Sequence, residues 1–508
     1  SRYCRFLQEN GAYTDYGDLV TQWVGESFAG IYKTDHLKYE GILVYTNRPY
    51  GGPYRGFGDP QLQFALEQHM DKMTESLGID PVEFRLKNAV ESGYVMPNGV
   101  PLKSCGLREC ITKVAEEVGW KNRRQRIKVG RKVRGVGIAC GQHGCGWRAG
   151  FDTFLWRTGF RTPEECYRFN PKSPYIRVDE AGKVRWRQGF DSLKLYDSDP
   201  STCVLRVNDD GTINLQIGEV DHGQGALTTM AIIVSEELGV KLEDIKVSFG
   251  DTDAGAFGLG TYASRVTTIG GRAVLDAAKK AKALIFKHAS NMLEASPDSL
   301  VARDGKVFIR DDPERFVTFA DAAFQAYASR DGGHVIVEGY YDAEDSVIPD
   351  AETGQGSVSV ANLFFAQAIE VEVDTETGEV EVKRIFAAKD AGRIINPVGA
   401  EGQVQGAVSQ GLGYALSEDI VMEKGRVLNP NFLKYVTPSA VDMPPLDIHF
   451  AETYEPAGPY GAKGLGEPAL VPVAPAIANA VHDATGVRIY SLPITPEKIL
   501  HGLKRSKT

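Results

Sequence analysis

The sequence contains no CxxC pair. Its seven cysteines (Cys4, Cys105, Cys110, Cys140, Cys145, Cys166 and Cys203) form no run with iron–sulfur or zinc spacing. Their odd number in so long a chain argues against a secreted disulfide framework. Any iron–sulfur cluster that serves this chain is therefore expected on another chain. No apolar run approaches the ~20 residues of a membrane span, and no signal peptide is recognisable, so the expected location is the cytoplasm. Excess positive charge is missing too. A net charge of -10 leaves little to neutralise phosphates, which excludes a general nucleic-acid binder. One basic stretch, 121–134 (KNRRQRIKVGRKVR), reads as a solvated connector between domains. There is no GxGxxG after a strand with an acid ~20 positions on, and no GxxxxGK[ST]; a nicotinamide dehydrogenase and an NTPase both lose their main signal.

What is present is glycine, with 55 residues against 25 prolines in a chain of 508. The glycines cluster in short loops, which favours backbone that approaches a ligand closely. The length predicts two or three domains. Residues 40–48 read as a strand that feeds a Gly-rich loop at 50–59, and a helix follows from Pro60. A second helix is expected near 81–91. Hairpin signals occur at Asp210-Gly211 within 203–219 and at Thr377-Gly378 within 367–386. Helices are expected after 221–225, over 274–293, near 402–416 and over 472–485. This mixture indicates an α+β fold with mixed α/β layers rather than a regular βαβ series. The expected division is 1–125 and 126–508. The stretch 147–194 is aromatic and basic, with Arg148, Arg157 and Arg161 among aromatic residues. It reads either as an insertion at an outer wall of the pocket or a subunit interface, or as a solvent-facing Ω-like loop. Ser1 opens within a strand-like pattern without a methionine, as expected for a processed or split gene product.

Four Gly/Gln/Ser loops stand out: YRGFGDPQ (54–61), DHGQG (221–225), TYASR (261–265) and EGQVQG (401–406). Each is placed at a strand–helix junction, where backbone N–H groups and a helix N-terminus can meet an anion. Their amide and hydroxyl side chains suit a phosphate or a pterin edge. A fifth element, YGAKGLGEP (460–468), surrounds Glu467 with three glycines. Local sequence leaves two readings of Glu467: a cap that matches a helix dipole, or a carboxylate poised in a dry pocket as a general base. HGCG at 143–146 stands equally as a plain turn or a site element, and Cys145 as a small hydrophobe.

All five motifs, in this order, resemble the molybdenum-binding half of the xanthine dehydrogenase and aldehyde oxidase family. That family carries an RGFG-x-PQ loop, a GQG loop before a helix, a T-x-AS loop, a GQ-rich segment and a GEP loop. The resemblance implies that Arg55 and Gly56, His222-Gly223-Gln224, Ala263-Ser264, Gln403 and Gly466 hold a molybdopterin, and that the pterin, not a protein side chain, holds the molybdenum. Phe57 would stack on the substrate. Glu467 would be the base that takes a proton from a water-derived oxygen during hydroxylation of an electrophilic C–H carbon, heteroaromatic or aldehyde. Electrons would leave through [2Fe-2S] clusters and FAD on partner subunits, and the pterin is expected as its cytosine dinucleotide. The family's GGGFGG loop does not occur, so a further chain is expected to complete the molybdenum subunit. Gly56 and Phe57 stand where the family's carbon monoxide dehydrogenases have Cys and Ser, which favours a hydroxylase. The alternatives are a reductase of an aromatic acyl thioester, whose anionic substrate the 147–194 stretch could line, and a non-catalytic scaffold, against which the intact Arg55 and Glu467 argue.

Overall fold

A computed structural model describes the chain except for residues 14–15, 126–129, 149–161, 170, 173–175, 187–198, 254, 330–332, 344–345, 351–352 and 506–508. It divides into two compact units. The first comprises Ser1–Gly144, Ala361–Glu455 and Lys463–Thr508, and the second Cys145–Val360 and Pro456–Ala462.

In chain order the elements begin with β1 (Arg2–Glu9), α1 (Gly17–Ala29), β2 (Leu37–Val44), α2 (Asp59–Leu77), α3 (Pro81–Asn88), α4 (Leu107–Glu117) and β3 (Lys132–Cys145). Next come α5 (Pro163–Phe169), β4 (Ile176–Val178), β5 (Val184–Trp186), β6 (Ser201–Val207), β7 (Ile213–Ile217), α6 (Ala226–Leu238), β8 (Ile245–Ser248) and α7 (Gly271–Leu293). They are followed by β9 (Leu300–Arg303), β10 (Lys306–Ile309), β11 (Asp312–Thr318), α8 (Phe319–Ala328) and β12 (Val335–Tyr341). The rest are β13 (Ala361–Asp374), β14 (Val380–Asp390), α9 (Pro397–Leu416), β15 (Met422–Glu423), β16 (Arg426–Val427), β17 (Leu446–Phe450), α10 (Val473–Thr485) and α11 (Pro496–Arg505).

The first unit is built on a sheet of order β17-β14-β13-β3. The period-2 alternation of strand side chains assigns its two faces. Phe364, Ala366 and Ala368 of β13 join Phe386 and Ala388 of β14 in a core with α4 and α2. Their neighbours Ile369, Val371, Val373, Ile385 and Ala387 enter a second core with α9 and α10. Helices thus cover both faces, and the middle of β13 carries the continuous apolar run LFFA (363–366) that a doubly buried strand needs. A close backbone approach fixes the second layer. A Cβ on Gly137 of β3 would lie 2.1 Å from the Ala476 carbonyl oxygen and 2.2 Å from the Ala480 nitrogen, both on α10. Gly137→Ala is therefore expected to destabilise this unit by about 1–3 kcal/mol, the cost of overpacking a tight contact, measured as a shift in urea unfolding.

The second unit carries a sheet of order β12-β6-β7-β8, with α6 and α7 packed together. The β6–β7 ladder pairs Val207 with Ile213 around the Asp210 turn, where the Asp210 carboxylate accepts from the Thr212 N–H. The 377–378 turn likewise joins β13 to β14 in the first unit. The mixed α/β layering expected from the sequence is present.

Three expectations need correction. EGQVQG (401–406) is no loop: it lies inside α9, whose start is set by Pro397 and by the Asn396 side chain accepting from the Gly399 N–H. HGCG is no turn, because His143, Gly144 and Cys145 are the last residues of β3. The basic stretch is not simply a solvated connector either. Arg123 pairs with Asp80 and lies over the Trp120 ring, and Lys132 and Arg134 pair with Glu372 of β13. Residues 126–129 lie outside the described residues. So does most of 147–194, including Arg157 and Arg161; its described parts include Trp147, Arg148, whose Nη1 donates to the Ala343 carbonyl, α5 and the β4–β5 hairpin. Among the described residues, no helix is long and apolar enough to cross a membrane.

Candidate active site

The loop before α2 turns through three consecutive left-handed residues: Gly56 (φ 94), Phe57 (φ 51) and Gly58 (φ 101). Phe57 is the informative one, since a bulky residue at positive φ is strained and persists where the surroundings over-determine it. The Phe57 N–H donates to the Tyr54 carbonyl and the Asp59 N–H to the Gly56 carbonyl. A Cβ on Gly58 would stand 2.6 Å from Val24, so the turn is pressed against α1. The Phe57 ring meets the edge of Trp23, with centroids 6.1 Å apart.

Arg55 ties three distant segments together. Its Nε donates to the Gly466 carbonyl at 2.7 Å and its Nη2 to Gln403 Oε1 at 3.0 Å, while Nη1 lies 3.5 Å from Gln410 Oε1. Burial pulls the Arg55 pKa down, and the nearby charge of Glu467 opposes that. The structure therefore brings Arg55, Gly56, Phe57, Gln403 and Gly466 together around Glu467. Glu467 itself stands in turns ahead of α10, and its side chain is 18% exposed. Since α10 starts only at Val473, Glu467 is not at the helix N-terminus, which removes the cap reading.

Sequence reasoning missed the residues behind Glu467. His143 Nε2 lies 3.2 Å from Glu467 Oε2, and His143 Nδ1 lies 2.7 Å from Asp59 Oδ2. Burial alone would depress the His143 pKa, but the charge of Glu467 and the hydrogen bond to Asp59 outweigh it and raise it to about 10. Burial pushes Asp59 upward, and its hydrogen bond with His143 pulls it part of the way back. With a carboxylate at each ring nitrogen, the imidazole is the group that keeps the proton. The pattern HGCG flagged His143, but nothing in its vicinity signalled partners 84 and 324 positions away.

The other expected residues lie in the second unit. Asp221 accepts from the Gly223 and Leu227 N–H groups, and the Gln224 side chain bridges the His222 N–H and the Val220 carbonyl. Thr261 Oγ1 hydrogen-bonds the Val220 carbonyl at 2.6 Å, so the His222–Gln224 and Ala263–Ser264 loops are held side by side. Ala263 (φ 46) and Ser264 (φ 49) are both left-handed, directly before a π-helical turn at Val266–Gly270. Strain and π-turns of this kind gather at functional sites. The anchor is Arg265, fully buried, with 2.7 Å bonds to Asp199 and to Glu219. It too was missed, because a Ser-Arg pair in a loop carries no burial signal.

The donor set fits a flat, polar, uncharged heterocycle with anionic substituents. On α9 the positions 399, 402, 403, 406 and 410 share one face. A Cβ at Gly402 or Gly406 would meet nothing within 4 Å, which leaves open space beside the Gln403 and Gln410 amides. Gly223 and Gly225 are open in the same way in the second unit. Among the described residues, no group of three or more His, Cys, Asp or Glu side chains is arranged to hold a metal ion.

Residues 113–444 and 2–89 match molybdopterin cofactor-binding domains. The chain belongs to the molybdopterin-binding family of the xanthine dehydrogenase type. A putative xanthine dehydrogenase molybdenum-binding subunit of Escherichia coli (strain K12) is 34% identical over 500 residues, covering 97% of this chain and 59% of that protein. The carbon monoxide dehydrogenase large chain of Afipia carboxidovorans is 28% identical over 505 residues, covering 95% of this chain and 55% of that one. The crystal structure of quinoline 2-oxidoreductase from Pseudomonas putida 86 superposes with a TM-score of 0.81 at 26% identity, covering 99% of this molybdopterin-binding chain and 60% of the other. The chain thus spans 59% of the length of its xanthine dehydrogenase relative.

Proposed function

We propose that this chain is the catalytic, molybdopterin-binding part of a cytoplasmic molybdenum hydroxylase that acts on an electrophilic C–H carbon of a heteroaromatic compound or an aldehyde. The observation that carries this is the three-way junction at Arg55. It draws the RGFG loop, the Gln403 face of α9 and the Gly466-Glu467 loop to one point, so that a partly exposed carboxylate borders a set of neutral amide donors. When bound, the molybdopterin would supply the redox centre and activate a water-derived oxygen. The protein's own share is proton transfer and positioning. A Glu467 carboxylate oxygen takes the proton of that water-derived oxygen, general-base work for which a partly buried carboxylate is suited.

Arg55 and Gln403 would hold the pterin in the first unit. His222, Gly223, Gln224, Ala263 and Ser264 of the second unit would likewise hold the pterin and its phosphates. The cytosine dinucleotide is the proposed form. Phe57 would present its ring to the substrate. Electrons would pass to [2Fe-2S] clusters on an iron–sulfur subunit and on to an FAD subunit, and a further chain would complete the molybdenum subunit.

The assembled complex is expected to purify with stoichiometric molybdenum and pterin, by metal analysis and pterin fluorescence. Arg55→Met should lose most of both, because it removes the guanidinium that joins the three segments named above. A complex with its full iron content but no molybdenum or pterin would leave only the scaffold reading.

A further inference from the structure

Asp59, His143 and Glu467 come from three separate parts of the first unit: the first residue of α2, the end of β3 and the loop before α10. They form one line, Asp59 Oδ2 to His143 Nδ1 at 2.7 Å and His143 Nε2 to Glu467 Oε2 at 3.2 Å. The Asp59 and His143 side chains are completely buried, whereas Glu467 reaches the surface of the site. We propose that His143, anchored by Asp59, is a positioning residue and counter-charge for Glu467, fixing one carboxylate oxygen so that the other is aimed into the site. The proposal rests on the reading of Glu467 as the base.

The anchoring is rigid at each end. Asp59 follows Gly58, which α1 presses from behind, and the His143 ring lies against Trp23 of α1 with centroids 5.1 Å apart. The titratable groups that face His143 are Asp59 from α2 and Glu467 from the loop; α1 contributes the Trp23 ring, and Arg55 acts on Glu467. A cation beside Glu467 keeps the carboxylate ionised, the state a base must be in before it can accept a proton. It also ties up one oxygen, so that orientation is set before substrate arrives.

Two measurements test this. The first needs neither cofactor nor activity. In the folded chain His143 stays protonated to about pH 10, whereas unfolded it is protonated only below about pH 6.5. Between these values unfolding releases one proton. The stability that His143 supplies is therefore whole below about pH 6.5 and is lost as pH rises toward the folded value. Across that window the unfolding equilibrium constant of the 508-residue chain should rise up to about tenfold more per pH unit in wild type than in His143→Gln. Glu467→Gln and Asp59→Asn should each narrow the window, and the Asp59→Asn comparison serves if His143→Gln does not fold. Parallel curves for wild type and variants would overturn the proposal.

The second measurement is the acidic limb of kcat/KM in the assembled enzyme. In His143→Gln, which keeps a donor but not the charge, the limb should move to higher pH. A merely structural histidine would lower turnover and leave the limb in place. The two readings fail separately. Normal turnover in Glu467→Gln removes the base but leaves the wild-type stability slope, whereas a flat slope removes the His143 device and leaves the base.

Discussion

Replacing Arg85 by methionine is expected to cost the first unit about 3–5 kcal/mol of folding free energy. Arg85 is wholly buried, with its Nε 2.9 Å from Glu67 Oε2, its Nη1 2.6 Å from Asp71 Oδ1, and its Nη2 donating to the Glu67 carbonyl. Glu67 is also fully buried and accepts from the Tyr32 hydroxyl and the Cys140 N–H, so α2, α3, β3 and the segment after α1 meet on one carboxylate. Methionine fills much of the volume but leaves Glu67 and the largely buried Asp71 without their cation. The penalty is that of uncompensated buried charge rather than of a lost bond. Substituting Arg85, Glu67 and Asp71 together by apolar residues of similar size should recover most of the loss, which a simple cavity effect would not do. Urea unfolding of the single and triple variants measures both. A loss below about 1 kcal/mol for Arg85→Met, the range of an exposed pair, would mean that the cluster is solvated.

How much of this was legible in the sequence depends on the reach of each signal. Local signals were readable. The Asp210-Gly211 and Thr377-Gly378 turns, the helix that starts at Pro60 and the long helix ending at Leu293 follow from turn chemistry and periodicity, and all are present. EGQVQG misled because two glycines and two glutamines look like a loop, and each glycine does cost a helix about 1 kcal/mol. Packing overrides that cost. Gly411 on α9 admits Val473 of α10 so closely that a Cβ would lie 2.6 Å from it, and the buried face of α9 supplies the stabilisation that propensity lacks.

The site was legible as a set of motifs but not as a geometry. Arg55, Gln403 and Glu467 could be named from their loops. That one guanidinium bonds segments 348 and 411 positions away could not, since no local pattern encodes a long-range partner. Asp59 and His143 were the harder case. Asp59 looks like an acidic first-turn residue of a helix, and His143 like part of a turn. Only the crossing of β3 behind the RGFG loop buries both and turns them toward Glu467.

The central claim, that Glu467 is the base of a molybdopterin-dependent hydroxylation, is tested most directly by the turnover of Glu467→Gln per bound molybdenum in the assembled enzyme. Glutamine keeps the shape and the hydrogen-bonding reach to His143 but cannot accept the proton. A general base contributes about 10²–10⁴-fold, so turnover should fall by at least about 10²-fold while molybdenum content stays near that of wild type. Glu467→Asp should also be poor, because shortening the side chain by about one methylene withdraws the carboxylate from the reacting oxygen. Near-wild-type turnover per molybdenum in Glu467→Gln would contradict the account.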